Sequence, residues 1–179
     1  LAQRALGSGF GSILFTDCRT GDDAAECVRI TKPDTPEDGG SYSVYTRRNT
    51  YMGYGGGTDY VEAMRNTVVN LMIEKKEAVE NLEAILGTPG VDMIQWGPSD
   101  YSMSVGKAGR RNDPSVLDAK KEVFKTALAM GVQPRAEISS PAEAKDYLDM
   151  GVKHFNMGVD ISILHSWWKS NGEELKKAV

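Results

Sequence analysis

From position 68 to position 159 short apolar runs, each closed by glycine, proline or polar residues, alternate with stretches of helical periodicity. That alternation narrows the chain to stacked β/α units with a mainly parallel sheet, an α/β fold, and argues against a β-sandwich. Strands are expected near 12–16, 68–73, 92–96, 133–138 and 154–157, the fourth interrupted by Arg135 and Glu137. Between the second and third, Ala78, Leu82, Ile85 and Leu86 form one apolar stripe of a helix that Gly87 and Pro89 end. A further helix follows Asp113-Pro114, with Val116, Val123, Phe124, Ala127 and Met130 facing inward and Gly131 as its stop. Ser140-Pro141-Ala142-Glu143 reads as a cap, a first-turn proline and an acidic first turn.

At 179 residues the chain can bury one sizeable core, so residues 1–179 are read as a single domain. The segment 32–59 breaks the alternation: it holds Pro33, Pro36, Gly39-Gly40, Gly55-Gly56-Gly57 and several tyrosines, and reads as a long loop or lid. A formal charge of −4 and basic residues scattered in pairs give no stripe for nucleic acid. The pairs, Lys75-Lys76 and Arg110-Arg111 among them, read as solvated faces. No apolar run approaches the ~20 residues that cross a bilayer, so no membrane partner is expected. Cys18 and Cys27 lack the spacing of a zinc site, and reduced, partly buried thiols in a cytoplasmic protein are the expectation.

Two carboxylates follow apolar runs: Glu74 ends the second and Asp100 follows the third. If those runs are adjacent parallel strands, about 4.8 Å apart, both acids emerge at one end of the sheet, where hard oxygen ligands suit Mg²⁺ or Mn²⁺. The competing reading is structural, with Glu74 opening a helical turn and Asp100 capping the next loop; spacing alone does not separate the two. Gly97-Pro98-Ser99 adds a sharp turn at the strand end that can aim backbone N–H groups at an anion, a carboxylate being the natural guest. A cation beside such a turn would chelate a 2-oxo acid and stabilise its enolate.

Met72-Ile73-Glu74 with Ala78-Val79-Glu80-Asn81, Gly97-Pro98-Ser99-Asp100 with Ser102 and Ser104, and Met157-Gly158-Val159-Asp160 together resemble the HpcH/HpaI aldolases. The resemblance implies a (β/α)₈ TIM barrel of the phosphoenolpyruvate/pyruvate superfamily, of which this chain would carry strands four to eight, the C-terminal part. It implies a class II, metal-dependent aldolase that cleaves or forms 4-hydroxy-2-oxo acids through a pyruvate enolate, with an aldehyde as second reactant. Glu74 and Asp100 would be ligands of a divalent metal, Mg²⁺, Mn²⁺ or Co²⁺, and Gly97, Pro98 and Ser99 would hold the pyruvate carboxylate. Met72 stands where the family commonly has Gln, which removes a hydrogen-bond donor from the oxo-acid site. The acid/base His and the carbonyl-polarising Arg of the family fall on strands without counterpart here, so no residue of this chain is assigned their role; His154 and His165 read as structural or surface groups.

Three alternatives accompany that reading. Lys75 or Lys76 as a Schiff-base lysine would need a depressed pKa, and their polar surroundings favour ordinary solvated ammonium groups. An acyl-CoA ester lyase of the citrate lyase β-subunit type would use a similar carboxylate pair, with Arg110-Arg111 as phosphate contacts. A truncated barrel without catalysis would retain only binding or association. The final helix, with Trp167, Trp168 and Leu175, is apolar enough to dock, and the resemblance implies a homo-oligomer, a hexamer in this family, formed through it.

Overall fold

A computed structural model describes residues 1–44 and 57–179 of the chain. It divides into two compact units, Leu1–Pro134 and Arg135–Val179. In the first, β1 (Ser12–Phe15), β2 (Val68–Ile73) and β3 (Met93–Trp96) pair in parallel and in chain order. Their register, Leu14 beside Asn70 and Ile73 beside Trp96, brings the ends of β2 and β3 out at one edge. β4 (Gln133–Ile138), which enters the second unit at Arg135, pairs there in parallel with β5 (His154–Met157). All five expected strands are present, paired in parallel within their units; only their ends move, by a residue at β1 and β3. Asp92, expected to open β3, instead accepts the Val69 N–H on its carboxylate at 2.8 Å while its own N–H donates to Val69 O at 3.0 Å.

Side chains alternate across a strand, so Val69, Leu71 and Ile73 share one face of β2, and all three are fully buried. Ile94 and Trp96 continue that face on β3. It packs under the helices that follow the strands, whose own buried residues are Leu82, Ile85 and Leu86 and then Val116, Val123, Phe124 and Ala127. The opposite face carries Asn70 and Met72 and leads to Glu74.

The helices depart further from expectation. Three precede β2: α1 (Ala2–Gly7), α2 (Gly21–Arg29) and α3 (Thr58–Arg65). α2 starts on a reciprocal capping box, in which the Thr20 hydroxyl accepts from the Asp23 N–H and the Asp23 carboxylate accepts from the Thr20 N–H. The helix expected after Glu74 is two, α4 (Lys76–Glu80) and α5 (Leu82–Leu86), broken at Asn81, whose side-chain amide donates to Arg19 O at 3.1 Å. The predicted stripe Ala78, Leu82, Ile85 and Leu86 is buried all the same. α6 (Pro98–Ser104) occupies the Gly97 turn, and α7 (Pro114–Ala129) runs as predicted except that Met130, at its C-cap, is 42% exposed. Gly131 follows at φ 81°, a backbone shape that favours glycine.

In the second unit a 3₁₀ turn over Pro141–Glu143 leads into α8 (Ala144–Asp149), and α9 (Asp160–Ala178) closes the chain without a single buried residue. Of the expected loop or lid over 32–59, residues 45–56 lie outside the described residues, and with them Arg47, Arg48 and the tyrosines 45, 51 and 54. The described flanks are packed. Tyr42 is 1% exposed in a cluster with Leu6, Tyr60 and Met64, and the Lys32 ammonium donates to the carbonyls of Arg65 and Thr67 at 2.8 Å each, closing the end of α3. Among the described residues no helix is long and apolar enough to cross a membrane. Both cysteines are free, and burial, the larger cause, pushes the Cys18 thiol up to about 12 and the Cys27 thiol up to about 11.

Candidate active site

Parallel pairing sets the site. Ile73 and Trp96 are register partners, so Glu74 and Gly97, each one residue further, leave the sheet side by side. The Gly97 N–H donates to Ile73 O at 3.0 Å and holds them there. A Cβ on Gly97 would lie 2.6 Å from Glu74 Cβ, 2.9 Å from Glu74 Oε2 and 3.1 Å from Met72 Cγ. Glycine is therefore required by close approach, not by its φ of −108°.

Glu74 is only 4% exposed, and its Oε1 accepts the backbone N–H of Asp17 at 2.8 Å. Burial raises its pKa, the Asp17 N–H opposes that rise, and nearby Asp100 adds to it. Asp17 follows β1 in the left-handed region, φ 59°, the sole non-glycine among the described residues with positive φ. Asp100 sits in the first turn of α6, and the ammonium of Lys75 joins the two outer acids, 3.1 Å from Asp100 Oδ1 and 3.0 Å from Asp17 Oδ1. Lys75 departs from the solvated reading: its side chain is 12% exposed, and the Asp17 and Asp100 hydrogen bonds raise its pKa against the pull of burial. A raised pKa is the opposite of what a Schiff-base lysine needs. Lys76 does match the solvated reading: it is exposed and pairs with Glu80 one turn on.

The turn residues do not contribute equally to an anion site. The Gly97 N–H is committed to β2 and Pro98 has none, which leaves the first-turn N–H groups of Ser99 and Asp100 without intrahelical acceptors. The two serines of the motif brace the turn. Buried Ser102 donates to Ser99 O at 2.8 Å, and Ser104 Oγ accepts the Lys76 N–H at 2.9 Å while donating to Tyr101 O at 2.8 Å. Ser104 thus ties α4 to α6.

The structure brings Glu74, Gly97, Pro98, Ser99 and Asp100 together. His154 and His165 lie in the second unit, both exposed, the first opening β5 and the second on α9. Asp17 was missed, although the rule that selected Glu74 and Asp100, an acid just past an apolar run, points to it once applied to the run ending at Thr16.

A divalent cation fits the donor set. Among the described residues no three His, Cys, Asp or Glu side chains form a ready-made cage. Mg²⁺, however, is usually held by one or two carboxylates with waters and substrate oxygens completing the shell. The missing Cβ at Gly97 keeps Oε2 of Glu74 open on one side, and a cation would relieve the burial cost of its charge.

Known proteins resemble this chain along nearly its whole length. The family model described as HpcH/HpaI aldolase/citrate lyase matches residues 2–166. The 5-keto-4-deoxy-D-glucarate aldolase of Shigella boydii is 30% identical over 178 residues, 99% of this chain and 68% of that protein. Among solved structures, an HpcH/HpaI aldolase/citrate lyase family protein from Burkholderia cenocepacia superposes with a TM-score of 0.79 at 29% identity, covering 98% of this chain and 69% of that one. Citrate synthase SbnG superposes at 0.81 with 21% identity, covering 98% and 67%, a likeness of fold.

Proposed function

Because the chain belongs to the HpcH/HpaI aldolase/citrate lyase family, a family of enzymes that includes aldolases, we propose that its α/β fold supplies strands four to eight of a (β/α)₈ barrel whose reaction is carbon–carbon cleavage or formation on a 4-hydroxy-2-oxo acid, with pyruvate and an aldehyde as the fragments. The observation that carries this reading is the convergence of Glu74 and Asp100 on Lys75 and Gly97 at one strand edge. Active sites of such barrels sit where the strands end and the βα loops begin.

In this reading Glu74 and Asp100 hold a divalent cation, Mg²⁺ or Mn²⁺. When bound, the cation supplies Lewis-acid stabilisation of the negative charge that develops at a keto oxygen. Ser99 and Asp100 donate their N–H groups to the oxo acid's carboxylate, with Gly97 and Pro98 shaping the turn. Met72, half-buried on the Glu74 face, offers the substrate an apolar contact without a hydrogen bond. Glu74, held by the Asp17 N–H, stays fixed while substrate exchanges.

The test is pyruvate release from 4-hydroxy-2-oxo acids by the full-length protein with Mg²⁺ or Mn²⁺. Glu74→Gln and Asp100→Asn are each expected to lose activity on the order of a hundredfold. Turnover that survives both EDTA and the two replacements overturns the proposal.

Association through α9 is the second part. Ile161, Leu164, Trp167, Trp168 and Leu175 are each more than half exposed, an apolar surface larger than a lone helix keeps in water. A homo-oligomer, a hexamer by the resemblance, would cover it. Sedimentation should show an assembly that Trp167→Ser with Trp168→Ser dissociates, and an unchanged mass would refute it. A cytoplasmic setting is in keeping with the two free thiols.

A further inference from the structure

Lys75 is held from two sides: its ammonium lies between two carboxylates, Asp17 at 3.0 Å and Asp100 at 3.1 Å, with its side chain 12% exposed. Asp17 is bound twice over, because its N–H donates to Glu74 Oε1 at 2.8 Å while its carboxylate takes Lys75. Both acids of the cation reading thus lead back to Asp17, Glu74 directly and Asp100 through Lys75. Three carboxylates against one ammonium leave the group a formal charge of −2, which one divalent cation neutralises.

We propose that Lys75 is a resident counter-cation that sets divalent-cation affinity: it competes for Asp100, and Asp17 is the partner it keeps when a divalent cation takes Asp100. The inference rests on the cation reading of Glu74 and Asp100 and adds two positioning residues to it. A dication and an ammonium sharing one carboxylate repel, and with a few ångström between them the effect is on the order of tenfold in affinity even at the permittivity of water. Lys75 therefore keeps the site weak enough to exchange its ion, and Asp17 keeps it from closing the site.

The roles predict opposite signs for two substitutions. Lys75→Met removes the competitor and should lower the Kd for Mn²⁺ by about tenfold. Asp17→Asn keeps the left-handed backbone, which asparagine tolerates, and with it the N–H to Glu74, but leaves the ammonium no anion besides Asp100; the Kd should rise several-fold. Lys75→Arg retains the charge and should stay near wild type. The measurement is Mn²⁺ titration of the full chain by electron paramagnetic resonance, without substrate, with Glu74→Gln as control. If wild type binds Mn²⁺, Glu74→Gln does not, and Lys75→Met binds more weakly than wild type or equally well, the counter-cation role is overturned while the cation reading stands. If wild type does not bind Mn²⁺, or Glu74→Gln binds it as well as wild type, both fall. A purely structural network would weaken binding in Lys75→Met and Asp17→Asn alike.

Discussion

Gly97→Ala tests the geometry of the site at its tightest point. The new methyl would meet Glu74 Cβ at 2.6 Å, whereas carbon atoms rest at about 3.5–4.0 Å. Something must therefore give by about 1 Å. The obstacle is not a flexible side-chain tip: Glu74 Cβ is one bond from the main chain, and the Gly97 N–H pins both strands through Ile73 O. A shift of that size carries Glu74 Oε1 out of reach of the Asp17 N–H, now at 2.8 Å. Overpacking of this kind costs about 1–3 kcal/mol, and for a chain of this size about 2 kcal/mol lowers Tm by roughly 4–8 °C. Divalent-cation affinity should fall by about ten- to hundredfold, the usual effect of disturbing what orients a ligand. Thermal unfolding and Mn²⁺ titration read the two effects separately. A variant with the wild-type Tm and the wild-type Kd would refute the close approach of Gly97 to Glu74.

Three further outcomes are expected. Thr20→Ala removes the hydroxyl half of the α2 capping box and should cost about 1 kcal/mol, measurable in urea; no change would mean the box carries no stability. Hydrogen bonds from Lys107 and Ser115 hold the Asp113 carboxyl down at about 2, below its ordinary value of 3.8. Its contribution to stability is thus present above the unfolded value and lost as pH falls through about 2, and Asp113→Ala should flatten acid unfolding in that window. Glu74 has the opposite sign: burial raises its pKa, so its contribution is complete below the unfolded value and is lost as pH rises through the folded one. Glu74→Gln should remove that part of the stability profile, and cation binding, which needs the ionised form, should weaken on acidification at a higher pH than an ordinary carboxylate would give.

The strands were legible because burial on a sheet leaves a local record: 68–73 is an unbroken apolar run but for Asn70, and its ends fall where expected. Glu74 and Asp100 were legible for the same reason, being the first acids past such runs. What escaped was non-local or masked. Gly21, a poor helix residue, directly follows the Thr20 cap and hides α2. The apolar stripe through α4 and α5 runs straight across Asn81, since periodicity records which residues are buried and not whether the backbone stays helical. The Asp17 contact to Glu74 joins residues 57 apart, through a left-handed aspartate that no pattern announces. Lys75, in a run of charge, looks solvated until two carboxylates from other strand ends are set beside it.

The break at Asn81 leaves two helices of five residues each, far too short to persist alone. Their amides can resist solvent deuterium only while tertiary ties hold, and for the first of them the tie is Ser104 Oγ on the Lys76 N–H, beside the acids. Deuterium uptake at Lys76 is thus a built-in gauge: ligands that tighten the strand edge should slow it, and changes that loosen the edge should hasten it well before the sheet itself opens.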